Sequence, residues 1–293
     1  MTNKWLKVAL MVTAIATGTS IKIDAETVLY VPQDDRPVSL QYTVDTAREA
    51  GMTVLTPPQH LISGKTYQGQ ADQIMAWVEQ NAGRADVMVL STDTLIYGGL
   101  VDSRKHNIPL STLQNRLKRI EGLKARNKNV RIYGFGTVMR SPRASGGGTE
   151  PAYYAEYGPT IFQIAALQDK LDSGSLTQEE TQKLMSLQAS VPVEYLQDWF
   201  DRRQKNMKIN KELIDETRSG VFDYFALGHD DTSQLSQSAL EGRYLNKYSK
   251  DISVEKYGSF PGADQLGLLL MARSRTDVST EKPTFSVIYP LGG

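Results

Sequence analysis

The chain has no cysteine, which excludes disulfides, thiolate metal sites and cysteine nucleophiles. It has no excess of either charge: 33 Lys plus Arg stand against 33 Asp plus Glu in 293 residues. Without a basic field nothing holds a polyanion, so no nucleic-acid partner is expected. Histidine is scarce, with three residues in no H-x-x-H or H-E-x-x-H spacing, which argues against a zinc hydrolase. The G-x-S-x-G elbow of serine hydrolases is missing. So are the Walker A and G-x-G-x-x-G phosphate-binding patterns. Beyond the N-terminal segment no stretch is long or apolar enough to be a transmembrane helix.

The N-terminus carries Lys4 and Lys7 ahead of an apolar run over 8–16, then small and polar residues ending in Ile23-Asp24-Ala25-Glu26. This pattern predicts a cleavable signal peptide over 1–25, too short to span a bilayer core of about 30 Å. The expectation is a secreted or extracytoplasmic protein with no membrane partner after cleavage, its mature part a single α/β domain over 26–293.

Within that domain, apolar runs alternate with amphipathic ones. Strands are expected at 27–31, 52–55, 87–90, 130–135, 222–227 and 284–289, near-continuously apolar as in a parallel sheet covered on both faces. Helices are expected at 42–50, at 72–81, from an N-cap at Ser111, at 238–248 and at 265–273. A helical insertion is expected over 159–219, broken near Ser173-Gly174 and at Pro192. The fold class is therefore α/β, a parallel sheet flanked by helices. An incomplete (β/α) barrel-like arrangement is favoured over an open doubly wound sheet. The chain stops soon after the strand at 284–289, where a covering helix is normally due, so a truncated fold is expected.

What the strands end on is the informative part. The first runs into Asp34-Asp35-Arg36-Pro37, the third into Ser91-Thr92-Asp93 and then Tyr97-Gly98-Gly99 and Arg104. The fourth leads to Met139-Arg140 and a Gly-rich loop that closes at Glu150, and the fifth to His229-Asp230-Asp231. In parallel α/β proteins the carboxyl ends of the strands share one edge, and ligands bind there. Asp34, Asp35, Asp93, Asp230 and Asp231 are thus the candidate catalytic acids. Arg36, Arg104 and Arg140 are candidates for holding substrate, with Tyr97, Gly98 and Gly99 where a backbone must approach a ligand. Asp264, ahead of a predicted helix, is either its N-cap or a further site acid.

The motifs YVPQDDRPVS, LSTDTLIYGGLVDSR, YGFGTVMRSP, GHDDT and PGADQLGLLLMAR resemble a bacterial family known as domain-of-unknown-function family 4127. The likeness runs from about Thr27 to Tyr289. It carries over Asp34, Asp35, Arg36, Asp93, Tyr97, Gly98, Gly99, Ser103, Arg104, Met139, Arg140, Asp230, Asp231, Gly262 and Asp264 as positions, without a reaction. The chain departs from that pattern at Ser39, where Asn is usual, and at Gln265, where an acid is usual. By the same likeness, members continue into a further C-terminal region.

Three functions fit these observations. The leading one is an exported hydrolase acting on a carbohydrate or cell-envelope substrate, its strand-end aspartates serving as acid, base or nucleophile. No cofactor is required. The same acids also suit oxygen ligation of Mg²⁺ or Ca²⁺ in a phosphate or sulfate ester hydrolase. The third is a non-catalytic glycan-binding protein. The expected partner is a small molecule or glycan, and the sequence leaves the oligomeric state open.

Overall fold

The computed structural model describes residues 25–279 apart from 145, 146 and 232, together with 284 and 286. The expected signal peptide and the strand expected at 284–289 fall almost wholly outside them. Six strands, β1 (Thr27–Val31), β2 (Thr53–Leu55), β3 (Val87–Ser91), β4 (Arg131–Val138), β5 (Tyr224–His229) and β6 (Tyr257–Pro261), form one sheet in the order β2-β1-β3-β4-β5-β6. Every neighbouring pair is parallel.

The α/β class and the parallel sheet are as the sequence predicts, but the lean towards a barrel is corrected. In a barrel each strand lies beside its successor in sequence and the sheet closes. Here β1 lies between β2 and β3, and the described sheet is open, the arrangement of a doubly wound sheet.

Side-chain alternation along the strands builds two cores. Leu29, Val31, Met88, Leu90 and Ile132 face one side, covered by α2 (Ala71–Asn81), α5 (Leu110–Arg126) and α8 (Val193–Ser219) through Ile74, Leu117 and Leu213. Val28, Tyr30, Val89 and Tyr133 face the other, covered by α1 (Gln41–Glu49) and α10 (Leu266–Val278) through Val44 and Leu270. Because both faces are covered, these strands carry no polar alternation.

Between β4 and β5 lies the helical insertion: α6 (Tyr154–Asp172), α7 (Gln178–Ala189) and α8. It begins ahead of the expected boundary at 159, since Pro159 is accommodated inside α6. Its own small core gathers Tyr154, Ile161, Ile164, Leu184 and Trp199 around Met139. The last helix between strands is α9 (Gln237–Tyr248). The helix expected from a Ser111 cap starts earlier, at Leu110, with Pro109 at the N-cap. Residues 92–105 form two short helices, α3 (Thr92–Tyr97) and α4 (Leu100–Lys105). Gly98 turns the chain between them in the left-handed region, at φ 112°.

Candidate active site

At the carboxyl edge of the sheet the chain leaves each strand as a polar segment, because the apolar layers end there and backbone and side chains need partners. These segments enclose a cleft of about 290 Å³, lined by Asp34, Arg36, Lys65, Leu100, Val101, Arg104, Arg140, Thr149, Asp230 and Asp264. Asp34 and Arg36 follow β1, Arg104 sits on α4 after β3, Arg140 follows β4, Asp230 follows β5 and Asp264 follows β6. Five strand ends thus supply one site.

The charges form an ordered chain of pairs. Arg36 donates its Nε to Asp34 at 2.8 Å and its Nη2 to Asp264 at 2.8 Å, so one guanidinium bridges the carboxylates after β1 and β6. The Asp264 side chain makes no N-cap: α10 begins after Gln265. Arg104 donates Nη2 to Asp230 at 2.6 Å, and its Nη1 lies 4.0 Å from Glu150. Arg140 donates its Nε to Glu150 at 2.8 Å and its Nη2 to Thr149 at 2.7 Å. Arg104 is only 4% exposed, and its Nε is buried without a hydrogen-bond partner. Burial lowers the Arg104 pKa against the pull of Asp230. Burial likewise raises the Asp230 carboxyl above its ordinary range, and Arg104 and Arg140 only partly offset it.

The remaining sequence candidates lie close to the cleft but do not line it. Asp93 is buried beneath it, accepting from Thr137 Oγ1 at 2.7 Å and Gln33 Nε2 at 3.4 Å. Burial pushes its pKa up to about 6, with a smaller upward push from Asp230. Asp35 turns away and accepts from the Tyr67 hydroxyl. Asp231 accepts from the backbone N–H groups of Ser141 at 3.3 Å and Ser233 at 2.9 Å, tying its own turn to the loop after β4. Tyr97 faces a second cavity and stacks on His106, ring centres 4.9 Å apart. The close approach that Gly98 and Gly99 permit is to protein: a Cβ on Gly99 would lie 1.8 Å from Ser63 Oγ, and one on Gly98 would lie 2.9 Å from Gly69 O.

Two residues that sequence reasoning missed shape the cleft. Lys65 reaches it from the β2–α2 connection, with Nζ 3.9 Å from where a Cβ on Gly147 would stand. Arg203, on α8, donates to the carbonyls of Met139 at 2.7 Å and Arg140 at 2.9 Å while pairing with Glu241. It belongs to a buried polar stripe of Arg202, Arg203, Asn206 and Asn210 at helical spacing. The stripe also reaches the carbonyls of His106, Ser103 and Thr137. The only local clue is this polar run within an otherwise amphipathic helix.

Among the described residues, no three His, Asp or Glu side chains gather closely enough to share a metal ion. The carboxylates of the cleft are turned to guanidinium groups. The arrangement instead offers acids held at fixed positions beside cations that can orient a polar ligand.

An open parallel sheet covered by helices on both faces, with a charged cleft on its carboxyl edge, makes the molecule a doubly wound α/β protein. More narrowly, the chain belongs to the family described as "Protein of unknown function (DUF4127)", whose model matches residues 28–293. The likeness carried by its motifs is therefore borne out. A comparison with curated proteins finds no match. No helix among the described residues is long and apolar enough to cross a membrane.

Proposed function

We propose that the chain is an exported hydrolase acting on a carbohydrate or cell-envelope substrate held in the strand-end cleft. The observation that carries this reading is the meeting of Asp34, Asp230 and Asp264, from three strand ends, with Arg36, Arg104 and Arg140 in one cavity. Its volume, about 290 Å³, falls just below the roughly 300–1,000 Å³ usual for small-ligand sites. Asp230 is the general acid, since burial keeps its proton to a higher pH than an ordinary carboxyl. Asp34, held by Arg36, serves as base or nucleophile across the cleft. Arg104 and Arg140 orient the substrate. The Lys-rich, apolar N-terminal segment supports the export part of the reading.

The test is a product-release screen of the full chain against glycans and cell-envelope polymers, run beside Asp230→Asn and Asp34→Asn. Turnover that both substitutions abolish, with the fold retained by circular dichroism, is the expected outcome. Ligand binding with no product from the wild type would instead favour a glycan-binding role.

A further inference from the structure

Four cationic side chains line the cleft: Arg36, Lys65, Arg104 and Arg140. Three of them are partly committed. Arg36 spends its Nε and Nη2 on Asp34 and Asp264, Arg140 spends its Nε and Nη2 on Glu150 and Thr149, and Arg104 spends Nη2 on Asp230. Each keeps donors in hand, and the Nε of Arg104 is buried with nothing to bond. A buried donor of this kind costs free energy until an acceptor arrives. Lys65 makes no ion pair with any described residue. Its Nζ lies beside the Gly-rich loop, 3.9 Å from where a Cβ on Gly147 would stand, on a connection separate from the strands that bring the arginines. The residues lining the cleft bring four cations against three carboxylates, those of Asp34, Asp230 and Asp264.

We infer that the substrate carries an oxyanion, as a sugar carboxylate, phosphate or sulfate, and that Lys65 binds this group at the mouth together with the unspent donors of Arg36 and Arg140. A charged acceptor gains about twice what a neutral hydroxyl gains from such donors. The inference rests on the cleft being where substrate binds, as proposed above, and names the class of group it selects.

Calorimetry on the full chain tests it with four probes: glucuronate, glucose 6-phosphate, glucose 6-sulfate and glucose. At least one anionic sugar is expected to bind about tenfold or more tighter than glucose, the size of one charge-assisted contact. Which one does so identifies the oxyanion. Lys65→Ala should remove that advantage and Lys65→Arg should keep it. Lys65 is exposed, so neither substitution disturbs the core. Equal binding of glucose and all three anions, absence of binding by every probe, or full selectivity in Lys65→Ala would each overturn the inference. Because calorimetry needs no turnover, selective binding through Lys65 without any product would refute the hydrolase reading and leave this one standing.

Discussion

The guanidinium of Arg203 donates to the backbone carbonyl of Arg140 at 2.9 Å. A helix of the insertion thereby holds the segment from which a cleft arginine projects. The same group donates to Met139 O at 2.7 Å, pairs with Glu241 through two bonds of 2.8 and 2.7 Å, and lies over the Trp199 ring. The insertion is thus fastened to the carboxyl edge of the sheet by a buried cation.

Breaking that fastening is expected to be costly. Arg203→Met leaves Glu241 buried without its cation and takes the donor from the Arg140 carbonyl, for a loss of about 3–5 kcal/mol. Arg203→Met with Glu241→Leu should recover part of it, because the stranded charge is gone. Urea unfolding of the wild type and both variants measures the difference.

Asp93 makes stability depend on pH in a defined direction. Its pKa is about 6 in the folded protein against an ordinary 3.8, so folding favours the protonated form. The stability this gives is complete below the ordinary value and is lost as pH rises from about 4 through about 6. Asp93→Asn is therefore expected to match the wild type near pH 4 and to exceed it by roughly 2–3 kcal/mol above pH 6. The Asn amide can be met by the Oε1 of Gln33, which is buried without a partner. Denaturant midpoints between pH 4 and 8 check both the sign and the window.

Gly99 has an extended backbone, φ 164°, so a side chain there is excluded by space and not by torsion. Gly99→Ala would set its Cβ 1.8 Å from Ser63 Oγ, and overpacking of this kind costs about 1–3 kcal/mol. Ser63→Gly combined with Gly99→Ala should restore most of the loss, because the Ser63 hydroxyl is itself buried without a hydrogen bond. Thermal midpoints of the two single variants and the double variant decide this.

Much of the fold was legible because β1, β3, β4 and β5 are buried on both faces and so appear as unbroken apolar runs. β6 was not, since Gly258, Ser259 and Pro261 interrupt its apolar pattern, and Pro261 belongs at a sheet edge. The openness of the sheet was also hidden, because the choice of β1 as neighbour to both β2 and β3 leaves no local mark. Six strand-end candidates meet in the cleft because the edge itself was predictable. Lys65 and Arg203 were invisible: one sits in a loop and the other inside a helix, and only the tertiary fold brings them to the strand ends. For Asp93 the position was legible but not its depth, which depends on Gln33 and Thr137 closing over it from distant segments.

The central claim is that Asp34 and Asp230, far apart in sequence, work on one substrate in one cleft. The measurement that tests it most directly is the turnover of Asp34→Asn, Asp230→Asn and the double variant on whichever substrate the wild type cleaves. Each single variant is expected to lose about 10²–10⁴-fold, and the double variant little more than the weaker single, as for groups that act as a unit. Wild-type turnover in either single variant would contradict the account.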